Sequence, residues 1–340
     1  MSEKKKAQKF LGRGLDIGTM NIVAASRSES GVVTKRMRDV FLDLPATRTA
    51  KNMLKMSGTN FVDRGDEIYI LGDAALEVAN TFSNEPRRPL SGGLVAAGEM
   101  DALEVLGLLI KEVLGEPKIK DEVCCFSIPA APVNDPTKDI VYHKGIFERI
   151  VSECGFNPIA SNEAMAIIFA ETAQEGFSAL SASFGAGMAN VALAINTLEA
   201  MTFSIQDCGD RIDAGAARSM GSTQARICAI KEKGMDLNNP QGREEEAIAF
   251  YYKEMIERVL KHIVAEFHKI RNKFSIPKAI PFVLGGGTSL VGGFLEFFTS
   301  VFEQHRKKFP LEISEIRLAK DPLNTVSHGL LIQALQEYQE

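Results

Sequence analysis

Two segments of the chain share one order of apolar, small and glycine residues. Residues 15–25 read LDIGTMNIVAA and residues 182–194 read ASFGAGMANVALA. In each segment an apolar strand runs into Asp16 or Ser183, then into glycines, and a second apolar strand follows. Glycine reaches positive φ at little cost, so such a turn lets backbone N–H groups approach an anion closely. A single turn of this kind is more typical of an ordinary hairpin, so the prediction of phosphate-binding turns depends on the repetition.

A third glycine cluster ends another apolar run. It reads Val283-Leu284-Gly285-Gly286-Gly287-Thr288 and precedes a predicted helix. Three strand-to-glycine turns along one chain indicate two related halves that close on one nucleotide.

The rest of the pattern alternates strands with helices. Strands are predicted at 67–71, 123–128, 200–205 and 280–284, after a hairpin over 11–33 that turns near 28–31. Helices are predicted at 100–114, 140–154, 162–171, 212–233, 244–274, 290–307 and 326–338. This alternation predicts an α/β architecture with mainly parallel central strands, and the hairpin that opens each half predicts mixed sheets.

Composition narrows the class of protein. A chain of 340 residues predicts two domains, and 45% hydrophobic with 24% charged residues is typical of soluble globular proteins. The net charge of −5 argues against nonspecific nucleic-acid binding, which needs a basic surface. The five cysteines are odd in number and contain no C-x-x-C pair, which predicts a reduced, cytoplasmic protein.

The basic N-terminus does not have the pattern that predicts a signal peptide. Lys4, Lys5, Lys6 and Lys9 precede no apolar core, and no apolar run in the chain approaches the roughly 20 residues that span a bilayer. Contact with an anionic membrane surface is one interpretation, and a solvated terminus is the more common one.

Taken together in order and spacing, five segments resemble the actin-like ATPases, a superfamily shared with sugar kinases and heat-shock chaperone ATPases. The bacterial actins that shape rod cells and align magnetosomes look most similar. Residues 16–21, Asp-Ile-Gly-Thr-Met-Asn, are similar to the Asp-Leu-Gly-Thr-Ala-Asn of the rod-shape actins. The other segments are 162–166, 183–191, 209–213 and 285–288, and the tail at 321–329 is also similar.

The resemblance implies an α/β, actin-like (ribonuclease H-like) fold that is duplicated in two domains with a nucleotide cleft between the halves. Domain I would comprise residues 1–157, with a small inserted subdomain at about 35–84 and a returning C-terminal helix at 322–340. Domain II would comprise residues 158–321, with a small subdomain at about 206–279.

The resemblance also implies a site for ATP or ADP with Mg²⁺. Asp16 would hold Mg²⁺ through water, and Glu163 would orient or deprotonate the attacking water. The nucleotide-binding residues would be Gly18, Thr19, Met20, Asn21, Ser183, Gly185, Gly187, Met188, Gly209, Asp210, Lys231, Glu232, Gly286, Gly287 and Thr288. Structural interpretations stay open for four of these positions: Glu163 as a carboxylate at a helix N-terminus, Lys231 and Glu232 as a solvated helix face, and Asp210 as a turn-forming residue.

The second turn departs from the family pattern. Related actins place Asp at the position of Ser183, and Thr-Thr followed by an acidic residue at the positions of Met188, Ala189 and Asn190. Serine cannot replace the charge of a carboxylate, so Mg²⁺ binding and water placement should weaken. We therefore expect nucleotide binding with slow hydrolysis or none.

Three functions follow from these observations. The first is a bacterial actin-like cytoskeletal protein, a weak ATPase that polymerises with itself and positions a cargo or adaptor protein. The second is a nucleotide-bound, non-filamentous adaptor or chaperone-like module, which the altered second turn favours. The third is a small-molecule kinase, which would need a catalytic base; Asp121, Asp135 and Asp139 are candidates, but none lies in a recognisable kinase motif.

Overall fold

The computed structural model describes residues 11–82, 85–96, 98–99, 101–135, 137–138, 140–274 and 279–338. The N-terminal lysines considered for membrane contact lie outside these residues, as does Asp139.

The first sheet opens with three antiparallel strands. They are β1 (Arg13–Ile17), β2 (Asn21–Ser28) and β3 (Gly31–Arg38). The turn predicted near residues 28–31 is confirmed, but the hairpin predicted to end at residue 33 continues to Arg38. The chain turns twice, first at the glycine turn of residues 18–20 and then at residues 29–30.

A smaller sheet and two helices are inserted after β3. The elements are β4 (Phe41–Pro45), α1 (Arg48–Met56), β5 (Val62–Asp63), β6 (Glu67–Leu71) and α2 (Asp73–Phe82), then the short β7 (Leu90–Ser91) and β8 (Leu94–Val95). The strand predicted at 67–71 is present as β6, which lies at the centre of this three-stranded sheet.

Two helices and two parallel strands complete the first half. They are α3 (Ala102–Leu114), β9 (Glu122–Ile128), α4 (Ile140–Glu153) and β10 (Phe156–Asn162). β9 pairs in parallel with both β1 and β10. Leu15, Phe126 and Phe147 are fully buried in the core between this sheet and its helices.

The second half repeats this arrangement. It contains α5 (Glu163–Glu171), β11 (Ala179–Phe184), β12 (Met188–Ile195), β13 (Leu198–Gln206), α6 (Gly209–Met220), α7 (Gln224–Glu232) and α8 (Arg243–Ile270). It ends with β14 (Ile280–Gly285), α9 (Phe294–His305), β15 (Ile313–Leu318) and α10 (Thr325–Gln336). Of the helices in the described residues, none has the length and apolar character needed to cross a membrane.

The prediction of one long helix at residues 212–233 was wrong. The segment 212–233 forms two helices because Gly221 adopts a left-handed conformation with φ of 61° and ends α6. The Thr223 hydroxyl then accepts a hydrogen bond from the Arg226 amide and begins α7.

The two five-stranded sheets have the same topology. Their strand orders are β3-β2-β1-β9-β10 and β13-β12-β11-β14-β15, with three antiparallel strands followed by two parallel ones. Asp16 is the penultimate residue of β1, and Ser183 is the penultimate residue of β11. The duplicated, mixed-sheet α/β fold predicted from the paired turns is therefore confirmed, and we call the two halves lobes.

The division into domains stays a prediction. The predicted boundary between residues 157 and 158 falls inside β10, which pairs with β9 from Phe156 to Asn162. We propose a boundary after Asn162 instead, because it leaves the first sheet intact.

The last helix joins the two lobes. α10 packs on β1 and β9 of the first sheet and also crosses α5. At the crossing, Gly329 lies so close to α5 that a methyl group would overlap the backbone carbonyl of Ala166. Because α5 begins at Glu163, this contact positions a predicted catalytic residue.

Gly329→Ala should therefore destabilise the fold. We expect a loss of about 1–3 kcal/mol in the free energy of unfolding, because the added methyl group forces two backbones apart. Gly145→Ala is the matched control, since Gly145 also lies inside a helix but has open space around its Cα. The control should gain up to about 1 kcal/mol from helix propensity. Urea denaturation measures both, and equal effects would contradict the close contact.

Candidate functional site

A cavity of about 370 Å³ lies between the two lobes. Every residue that the resemblance assigned to nucleotide or Mg²⁺ lines it. The turns thus come together from segments far apart in sequence, while the binding role of each residue stays a prediction.

The two glycine turns have the same backbone geometry. The Gly18 amide donates to the Asn21 carbonyl at 3.0 Å, and the Gly185 amide donates to the Met188 carbonyl at 2.9 Å. In each case the hydrogen bond joins the residue that follows the first strand to the first residue of the next strand, so three residues form the turn. The similarity between the turns therefore extends from sequence to hydrogen bonding.

The turns approach each other through a third segment. The Gly93 amide donates to the Thr19 hydroxyl at 3.1 Å. A side chain on Gly187 would overlap both the Gly93 amide and the Thr19 hydroxyl. Glycine is thus required at residue 187 for the lobes to close to this distance.

Asp16 lies at one end of the cavity, held by a side chain that the sequence analysis missed. The Ser127 hydroxyl donates to Asp16 Oδ1 at 3.0 Å and accepts from the Ile17 amide at 2.8 Å. Burial raises the pKa of Asp16 to about 6, although the Ser127 hydrogen bond opposes the shift. The one signal for Ser127 is a polar residue that directly follows the apolar run of residues 123–126 in β9.

Glu163 lies close enough to Asp16 for the two charges to interact. Burial, and then the Asp16 charge, raise the pKa of Glu163 to about 8. Asn190 Nδ2 donates to Glu163 Oε2 at 2.8 Å, while Asn190 Oδ1 accepts from the Ala130 amide at 3.2 Å. Two crowded carboxylates that repel each other fit a divalent cation, because its charge favours the ionised form of both.

Glu163 also begins α5, so its position agrees with the structural interpretation as well. The Asn162 side chain caps this helix by accepting hydrogen bonds from the Ala164 and Met165 amides. A helix N-terminus favours a negative charge at Glu163, but this effect does not offset the burial that raises its pKa.

The third glycine cluster is fixed to the second turn. The Thr288 hydroxyl donates to the Gly185 carbonyl at 2.8 Å, and Tyr252 donates to the Thr288 carbonyl at 3.0 Å. Gly286 has a φ of 90° and contacts the Phe184 backbone so closely that no side chain fits. The neighbouring wall of the cavity is apolar, formed by Leu290, Val291, Leu323 and Val326.

Lys231 is not on a solvated face. Its ammonium pairs with Asp213 at 2.7 Å, and the two side chains are 13% and 7% exposed. Burial raises the pKa of Asp213, and the Lys231 charge opposes this shift. Asp213 was not predicted as a site residue.

Two arginines, also missed in the sequence, connect the lobes at the edge of the cavity. Arg38 of β3 pairs with Glu232 of α7 at 3.2 Å, and Arg88 pairs with Asp210 of α6 at 3.1 Å. Both guanidinium groups also contact the sulfur of Met20 in the first turn. Two of the predicted nucleotide-binding carboxylates are therefore already paired across the cleft.

The candidate kinase bases lie elsewhere. Asp121 is exposed in a turn with a φ of 57°, and the Asp135 carboxylate accepts hydrogen bonds from Thr137. Neither residue lines the cavity. The arrangement thus gives no support to the kinase function at these positions.

The raised pKa of Glu163 predicts a pH-dependent stability. Between about pH 5 and pH 8 the folded protein holds a proton that the unfolded chain releases, so stability should fall as pH rises. Glu163→Gln cannot ionise. In the ligand-free protein it should be more stable than wild type by about 1–3 kcal/mol at pH 8 and similar to it at pH 5.

Urea unfolding at both pH values measures this difference. Glu116 is exposed and supplies the control, because Glu116→Gln should change the free energy of unfolding only slightly, and by the same amount, at pH 5 and pH 8. A Glu163→Gln effect that does not vary with pH would contradict the shifted pKa.

Comparisons with known proteins agree with the fold. The family model described as Volactin matches residues 11–334. A search of curated proteins finds no match. The solved structures with a similar fold include the MamK double helical filament, at 18% identity and a TM-score of 0.69, covering 97% of this chain and 99% of that chain.

Two further structures belong to the same actin-like superfamily. MreB 5 of Spiroplasma citri bound to AMPPNP has 17% identity and a TM-score of 0.64, with 96% of this chain and 97% of that chain covered. The ethanolamine utilization protein EutJ from Carboxydothermus hydrogenoformans has 14% identity and a TM-score of 0.54, with 95% and 89% covered. This protein belongs to the Volactin family and has the actin-like fold.

Proposed function

We propose that this protein is an actin-like filament protein that binds ATP or ADP with Mg²⁺ between its lobes and polymerises with itself. The observation that carries the proposal is the cavity at which two equivalent glycine turns meet beside Asp16 and Glu163. The fold is shared with MamK, which forms a double helical filament, and with MreB5, whose structures contain AMPPNP or ADP.

The cavity has the parts that a nucleoside polyphosphate needs. Backbone amides of residues 19–20 and 186–187 would donate to the phosphates from opposite lobes, as preorganised donors. The apolar wall beside Gly286 and Gly287 would contact the base and ribose. Asp16 would hold Mg²⁺ through water, and the bound cation would neutralise part of the phosphate charge.

The same residues support slow hydrolysis. Ser183 is 3% exposed and carries no charge at the position where related actins have Asp. Asn190 donates to Glu163 Oε2 at 2.8 Å and so occupies one of the two carboxylate oxygens. Glu163 would then orient the attacking water with one carboxylate oxygen, so we propose a weak ATPase.

A cytoplasmic location is part of the proposal. The five cysteines are free, and Cys124, Cys125 and Cys208 are buried. Burial raises the pKa of each of these three thiols, so they remain protonated and unreactive. Free, inert thiols are typical of proteins in a reducing compartment.

Negative-stain electron microscopy and pelleting with ATP–Mg²⁺, with ADP–Mg²⁺ and without nucleotide test the function. We expect filaments that require nucleotide and Mg²⁺. Gly187→Ala should reduce both nucleotide binding and assembly, because the added methyl group keeps the turns apart, and Gly145→Ala should assemble normally. Nucleotide binding without any polymer would favour the adaptor module. Absence of both would contradict the proposal.

Ser183→Asp should raise the rate of ATP hydrolysis. It restores a carboxylate to the cavity, and one well-placed polar group is worth about 10- to 1,000-fold in rate. Phosphate release by the purified protein is the measurement, after the variant is shown to bind nucleotide and to unfold cooperatively. Glu163→Gln in the same background should remove the gain. An unchanged rate in a folded variant would show that the missing carboxylate does not limit hydrolysis.

A further inference from the structure

A second concave surface, which we call the basic groove, lies on the second lobe. Its volume is about 630 Å³, and it shares no lining residue with the nucleotide cavity. It is formed by the C-terminal half of α8, the start of α6 and the segment that follows α9. Val264 and Phe309 contribute an apolar floor, and Phe309 packs edge-on against Phe302 at a centroid distance of 4.9 Å.

The charge of the groove is opposite to that of the whole protein. Four basic side chains line it, and only two carboxylates do so, those of Glu254 and Glu257. The basic residues are Arg211, Arg258, Lys261 and Lys308. Without counting His262 and His305, which also line the groove, this leaves an excess of two positive charges in a protein of net charge −5.

Arg258 has hydrogen-bonding capacity to spare. Its Nε is buried without a hydrogen-bond partner, while a terminal nitrogen donates to the Asp207 carbonyl. Burial, and then the charge of Arg211, lower the pKa of Arg258. A half-buried guanidinium next to a like charge is stabilised by an anion, and its planar donors match a carboxylate best.

The lysines of the groove are exposed and available. Within the described residues, neither Lys261 nor Lys308 forms an ion pair. Glu257 is already occupied, because it lies 3.8 Å from Lys253 and 4.0 Å from His305. Arg211 lies 3.7 Å from the Asp207 carboxylate, so within the described residues the positive charge that is not neutralised is that of Arg258, Lys261 and Lys308.

We propose that the basic groove binds an acidic peptide segment of a partner protein. Carboxylates of that segment pair with the four basic side chains, and one apolar side chain contacts the floor at Val264 and Phe309. A flat membrane surface does not reach Arg258 inside the concavity, and a small phosphate ion gains nothing from an apolar floor. The proposal is independent of nucleotide binding and of polymerisation.

The test uses the full chain and a fluorescein-labelled peptide that repeats Glu-Glu-Leu, with a Lys-Lys-Leu repeat as the probe of opposite charge. Fluorescence anisotropy should show saturable binding of the acidic peptide alone. Lys261→Glu combined with Lys308→Glu should weaken it at least about tenfold. The control pair, Lys120→Glu with Lys320→Glu, changes the net charge equally at exposed sites outside the groove and should leave binding within about twofold of wild type.

Arg258→Gln tests separately whether the buried guanidinium contributes to peptide binding. It removes the unpartnered donor and should weaken peptide binding even where the lysines are intact. Thermal unfolding shows which variants are folded, and the lysine pair lies at the exposed rim, where substitution is tolerated.

Three results would overturn the proposal. The first is equal peptide affinity in the groove variant and the control variant. The second is that the protein binds only vesicles that contain anionic lipid, or only inorganic pyrophosphate, and not the acidic peptide, and that the groove variant loses this binding. The third is self-association of the chain that depends on Lys261 and Lys308 while the peptide does not bind, which would make the groove a contact between copies.

Discussion

The lobes approach each other through backbone, at places where no side chain fits. Gly187 meets the Gly93 amide and the Thr19 hydroxyl at the cavity, and Gly329 meets the Ala166 carbonyl where α10 crosses α5. Such contacts have little freedom to adjust, because a packed backbone transmits displacement instead of absorbing it. The distance between the two glycine turns is consequently set by these glycines. The placement of Glu163 depends on the same crossing, since α5 begins at that residue.

Electrostatics in the cavity follow from this closeness. Asp16 and Glu163 come from different segments and are brought together by the fold. Burial raises the pKa of both, and the Asp16 charge adds to the shift of Glu163. Ser127 and Asn190 hold the two carboxylates in place with one hydrogen bond each. A binding site that stores repulsion between like charges in its ligand-free form is stabilised by a bound cation. The site and the Mg²⁺ proposed for it are in this sense complementary.

Local signals explain what could be predicted from the sequence. A few adjacent residues are enough to predict the glycine turns, the buried strands β9 and β14 and the start of α5. The repetition of the glycine turn predicted the duplicated fold. The edge strands β10 and β15 were missed because they lack clear alternation, and Pro158 in β10 is tolerated only because an edge strand needs fewer hydrogen bonds. Ser127 and the arginines Arg38 and Arg88 have partners between 18 and 194 positions away, so no local pattern reports them.

The strength of the arginine ion pairs at the cavity edge depends on the solution around the protein. Arg38–Glu232 and Arg88–Asp210 span the lobes, and their side chains are between 29% and 54% exposed. Ion pairs this open to solvent are screened by dissolved electrolyte and contribute at most about 1 kcal/mol each. These ion pairs accordingly hold the two lobes together more strongly at low salt concentration than at high salt concentration. Access to the cavity thus becomes a function of ionic strength, in a molecule whose backbone contacts are insensitive to it.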